Sequence, residues 1–136
     1  IKAVLIIDEV HFLKADSIHL LRTLSNIEVP ERKLVTILLF GEDAFLDKLE
    51  QPHYRALFSR VFVRADLRPL TAPEVEQYVK FRCLVAGGSG AIFDRVTFPL
   101  IHEMSGGIPR EINRLCYEAM TRAAVRRQKA IGVDLF

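Results

Sequence analysis

No stretch of this 136-residue chain is apolar for long enough to cross a bilayer. Its longest runs, such as "LVTILLF", fall far short of the roughly 20 residues that a spanning helix needs. No basic segment followed by an apolar one marks a secretion signal, and the first residue is not methionine, which predicts a piece of a longer gene product. Charge of neither sign dominates. Nineteen basic residues against 17 acidic ones leave a net charge of +2, which excludes bulk attraction to nucleic acid or anionic lipid. Cysteine is scarce: Cys83 and Cys116 lack metal-type spacing and lie in apolar helical patterns. They predict reduced, buried thiols in a cytoplasmic protein. There is no repeat, no low-complexity tract and no aromatic cluster of the kind that stacks single-stranded bases. What remains is a globular composition, 50% hydrophobic and 26% charged, sufficient for one domain or two small ones.

Residues 2–7 and 34–40 are continuous apolar runs rich in Val, Ile and Leu, the pattern of strands covered on both faces. Between them, "DSIHLLRTLSNIE" carries the spacing of an amphipathic helix capped by Asp16 or Ser17. A second helix is predicted over 43–59, followed by an alternating strand, "RVFVRA". This alternation implies a parallel α/β layer. The character then changes. Thr71 and Glu74 form a capping box with Pro73 in the first turn of a helix reaching about Leu84. "FDRVTFPLIHEMS" reads as a helix capped by Asp94 and strained by Pro99, and "GGIPREINRLCYEAMTRAAVRRQ" as a turn and a long helix. The expected division is an α/β core over 1–66 and a small helical domain over 67–136.

The opening run "AVLII" ends in Asp8 and Glu9. A rigid strand that ends in two carboxylates can hold one near the water shell of Mg²⁺ and the other beside an attacking water. Phosphoryl transfer needs this positioning more than it needs covalent chemistry. The plainer alternative is a buried strand that stops at polar residues, with Asp8 capping the next helix.

"DEVH" resembles both the second motif of DExH-box helicases and the Walker B segment of AAA+ ATPases. A helicase also needs Ser-Ala-Thr after the next strand and a later Gln-Arg-x-Gly-Arg, and neither occurs. With "TILLFGE", "LRPLTAPEVEQYVKFRCLVAGG" and "LIHEMSGGIPREINRLC", nearly the whole chain resembles the AAA+ ATPases of general secretion pathway protein A, and also those of transposon target selection and pilus biogenesis. The resemblance implies the second half of a P-loop NTPase parallel-sheet core followed by an all-helical lid. It implies ATP and Mg²⁺ as ligands, with Asp8 on the metal through water and Glu9 as the catalytic carboxylate. Glu42 falls at the sensor position after the second strand. The family usually has a neutral residue there, and a solvated loop acid is the competing reading. Arg60, with Arg55 as runner-up, matches the arginine that reaches a neighbouring subunit's nucleotide. Arg110, in the first turn after Gly106 and Gly107, matches the lid's sensor 2 arginine.

The implied activity is ATP hydrolysis between subunits of a homo-oligomer that assembles or remodels a secretion or pilus system, cytoplasmic or attached to the inner membrane through other segments. None of the seven glycines opens a Gly-Lys-Ser/Thr loop, so the phosphate cradle is expected ahead of Ile1, and the chain alone is expected to bind ATP poorly. The competing class is a nucleotide-independent or DNA-associated interaction module, because residues 110–129 hold six basic and two acidic residues. Arg114, Glu118, Arg122 and Arg126 recur every four positions, which favours a salt-bridged helix instead.

Overall fold

The computed structural model describes residues 3–30, 32–52 and 54–136. Lys2, counted above in the first strand, and His53, within the predicted 43–59 helix, lie outside the described residues. The chain divides into two compact units, Ile1–Ala65 and Asp66–Phe136.

In the first unit, β1 (Ala3–Ile7) leads through a 3-10 turn, Val10–Phe12, into α1 (Ala15–Leu24). A short hairpin follows, β2 (Glu28–Val29) against β3 (Arg32–Lys33), and then β4 (Val35–Leu39). The two longer strands pair in parallel, in register from Ala3 opposite Val35 to Ile7 opposite Leu39. Helices α2 (Ala44–Glu50) and α3 (Arg55–Phe58) complete the unit. Its core is Val10, Ile18, Leu21, Phe45, Leu49, Tyr54 and Leu57, packed against Leu5, Ile7 and Leu39 from one face of the strands.

Four expectations change here. The continuous apolar runs predict two covered faces, yet Val4 (58% exposed) and Ile6 (63%) are left out of the core that the other face of the strands forms with this unit's helices. The α1 cap is Lys14, with no side-chain hydrogen bond, so neither Asp16 nor Ser17 caps it. The single helix expected over 43–59 is two, because Pro52 offers no N–H and forces Gln51 into extended backbone (ψ 147°). "RVFVRA" is not a strand: no described strand lies beside residues 61–64, and Phe62 and Val63 are exposed. A strand needs a neighbour to take its hydrogen bonds, whatever its side-chain alternation.

The second unit is helical. The capping box of Thr71 and Glu74 starts α4 (Ala72–Val85), and α5 (Thr97–Ser105) and α6 (Pro109–Arg126) pack on it. Their core is apolar: Val75, Ile101, Ile112, Ala119 and Leu135 are all fully buried. A bridge between Phe93 and Ile131 and a final turn, Val133–Leu135, close its base. Asp94 supplies its backbone carbonyl, not its carboxylate, to the N–H of Thr97 at 2.9 Å. Since α5 begins only at Thr97, Pro99 falls in its first turn, where a missing N–H costs nothing, and it does not strain the helix. Cys116 is buried and Cys83 half-buried, both as free thiols, and burial pushes the Cys116 thiol up to about 12.

Candidate functional site

Parallel pairing brings the C-terminal ends of β1 and β4 together, and the two turns that leave them are stitched to one another. Phe40 N–H donates to the Ile7 carbonyl at 2.8 Å, and Val10 N–H donates to the Phe40 carbonyl at 2.9 Å. Asp8–Glu9 and Gly41–Glu42 therefore emerge side by side at the sheet edge where ligands of open α/β sheets bind. Gly41 is needed for this approach. A Cβ there would stand 2.7 Å from Cγ2 of the buried Val10.

Glu9 adopts the left-handed conformation, φ 53° and ψ 40°. Among the described non-glycine residues, Arg127 alone shares a positive φ. Left-handed backbone costs a residue with a Cβ about 1–2 kcal/mol, which the surrounding structure must hold in place. Here Asp8 Oδ1 accepts the Glu9 N–H at 2.8 Å, and the chain turns at once into the Val10–Phe12 turn. Both carboxylates stay exposed. Lys48 on α2 supports the turn from behind, donating to the carbonyls of Leu13 (2.6 Å) and His11 (3.4 Å). Sequence reasoning missed this lysine, and it had no signal to find it by, since 35 residues separate it from Leu13. In the structure His11 Nδ1 accepts the Glu42 N–H at 3.4 Å, and Nε2 lies 3.4 Å from a Glu9 carboxylate oxygen.

The donor set fits Mg²⁺. It offers hard carboxylate oxygen from Asp8, with one oxygen left over after the bond to Glu9 N–H. No group of three ligating side chains occurs among the described residues. That suits an ion that keeps most of its water and is shared with phosphate, and does not suit a caged metal.

Of the two arginines weighed for a trans role, Arg60 is half-buried just past α3 and Arg55 is exposed at its start. Arg60 N–H closes the helix end on the Leu57 carbonyl, and its guanidinium has no partner among the described residues.

In the second unit the "SGG" turn is built for close approach. Gly106 (φ 58°) and Gly107 (φ 73°) are both left-handed, and a Cβ on Gly107 would collide with the Leu70 carbonyl. Gly107 in turn accepts the Leu70 N–H at 2.8 Å, and the buried Ser105 hydroxyl takes the Gly107 N–H at 3.1 Å. Arg110 follows in the first turn of α6, exposed and without a partner among the described residues. A cation there opposes the helix dipole, at a cost of about 0.3–1 kcal/mol. Farther along α6, the other three arginines of the helix are held in ion pairs. Arg114 bonds Glu111 and Glu118 at 2.8 Å each, Arg122 reaches Glu118 at 3.7 Å, and Arg126 reaches Asp134 at 3.2 Å.

A family model described as "AAA domain" matches residues 1–49. General secretion pathway protein A of Aeromonas hydrophila is 38% identical over 125 residues, covering 92% of this chain and 23% of the relative. The chain belongs to the AAA+ ATPases related to general secretion pathway protein A. It spans less than a quarter of that relative's length. Among solved structures, the RuvB Holliday junction branch migration motor of Thermotoga maritima superposes with a TM-score of 0.77 at 21% identity, over 97% of this chain and 41% of RuvB. A single-residue variant of the same RuvB gives 0.77 at 20% identity, over 99% and 43%. At such identity the likeness speaks to fold, the AAA+ P-loop NTPase fold of a parallel sheet with a helical domain after it. Among the described residues of this AAA+ chain, no helix is long and apolar enough to cross a membrane.

Proposed function

We propose that this AAA+ domain hydrolyses ATP at the interfaces of a homo-oligomer, and that the intact protein uses the cycle to assemble or remodel a secretion or pilus apparatus. The observation that carries the reading is the pair Asp8–Glu9, held in strained backbone at the C-terminal end of β1 beside the Glu42 turn, in a relative of general secretion pathway protein A. Bound ATP with Mg²⁺ supplies an electrophilic γ-phosphoryl group and neutralises its developing charge. Asp8 holds the ion through its water shell. Glu9 orients the attacking water and takes its proton, and Glu42 stands where the terminal phosphate is sensed. Arg60 reaches the nucleotide of a neighbouring subunit, because guanidinium stays charged and grips phosphate oxygens in pairs. Arg110, unpaired on a helix that ties up its other arginines in ion pairs, responds to the same phosphate. The helix's internal salt bridges weigh against the DNA-associated alternative. The work is placed on the cytoplasmic face, with inner-membrane attachment through the intact protein.

The deciding experiment is Glu9→Gln in the intact protein. ATP binding is expected to persist while turnover falls by about 10²–10⁴. Hydrolysis at the parental rate would sink the assignment.

A further inference from the structure

The turn after β1 is tied to the turn after β4 by more than backbone pairing, and the tie runs through an imidazole. The His11 side chain is 13% exposed, against 63% for Glu9. Its Nδ1 accepts the Glu42 N–H at 3.4 Å, which leaves that nitrogen unprotonated. The proton of the neutral ring then sits on Nε2, which faces the Glu9 carboxylate at 3.4 Å. Both contacts are long, as catalytic contacts commonly are before ligand binding tightens them. The backbone of His11 and one face of its ring are both contacted. Lys48 holds the His11 carbonyl from one side, and the Phe12 ring lies 4.2 Å from the imidazole centroid.

We propose that His11 is a positioning residue for ATP hydrolysis, a strut that sets the Glu9 carboxylate against the Gly41–Glu42 turn. The proposal rests on the reading of Glu9 as the base. Histidine suits the task because one rigid ring presents an acceptor to Glu42 and a donor to Glu9. Any shift of the Glu42 turn on phosphate binding or release is passed to Glu9 through that ring, so the base is aligned only when the turn is in place.

The test uses the intact protein with His11→Ala, His11→Asn and His11→Gln. Asn can replace only the Nδ1 acceptor, and Gln can place an amide N–H only where Nε2 stands. Ala and Asn are expected to lower kcat by about tenfold to a hundredfold, as loss of a supporting contact does. KM and the affinity for a fluorescent ATP analogue should stay within about twofold. Gln should recover only part of the loss, because it keeps the contact to Glu9 and gives up the one to Glu42. In a Glu9→Gln background, His11→Ala should cost nothing further, because the two residues act as one unit. Histidine ¹⁵N spectra should show the Nε2–H tautomer, with that resonance moved by Glu9→Gln. His11→Ala at the parental rate, recovery by Asn but not Gln, or an Nδ1–H tautomer would each overturn the strut. If Glu9→Gln itself turns over normally, the base assignment fails and takes the strut with it. An inactive Glu9→Gln beside a fully active His11→Ala removes the strut alone.

Discussion

Residues 66–136 close their core with helices that hydrogen-bond within themselves, while residues 3–65 lean on a pair of strands whose outer face is open. Asp8 and Glu9, the carboxylates proposed to act on ATP, sit in the second of these environments. The helical unit buries Ile101, Ile112 and Leu135 completely and starts its first helix on a capping box. The strand pair leaves Val4, Ile6, Leu38 and Phe40 exposed. Helices satisfy their backbone locally and need partners only for side chains, whereas strands need partners for both. A region can thus display a well-formed turn at its strand ends and still carry unmatched apolar surface.

That contrast can be broken by matched truncations. Ile112→Ala should cost the helical unit about 2–5 kcal/mol in chemical denaturation, and Ile6→Ala should stay within about 0.5 kcal/mol. Equal losses would mean the two units are packed alike. Gly107→Ala tests the helical unit's tightest point. A side chain there meets the Leu70 carbonyl in left-handed backbone, and a loss of about 1–3 kcal/mol is expected, read as a lowered Tm.

Acid sharpens the comparison further. Arg68 grips Glu74 with two bonds of 2.8 Å, and with the Thr71 backbone and hydroxyl it holds the Glu74 carboxyl well below the usual carboxylate range. A carboxylate lowered in the folded state contributes stability above its unfolded value, and loses it as pH falls toward the folded one. The helical unit should therefore lose Tm progressively below about pH 4, and Glu74→Gln should flatten that slope. The smallest effect expected is a gain. Arg127 ends α6 in left-handed backbone (φ 54°), and Arg127→Gly should raise stability by up to about 1 kcal/mol.

Much of this was legible in the sequence because the signals were local. The capping box at Thr71, the paired glycines before Pro109 and the four-residue charge rhythm of α6 each act within a few residues, and each is present as read. The parallel pairing of the two apolar runs was legible too, along with the carboxylates at the end of the first. What escaped were consequences of distance. Pro52 was counted inside a helix because apolar spacing continued around it. The alternation of residues 61–64 looked like a strand because a pattern cannot announce whether a neighbour exists. His11 and Lys48 were ordinary letters until folding set them against residues some 30 positions away.

The bond from Leu70 N–H to the Gly107 carbonyl has a mechanical meaning. It fastens the segment entering α4 to the corner where α6 begins, so two helices of the same unit share one anchored foot. The glycine that makes room for this knot is what lets the two helix starts stand so close.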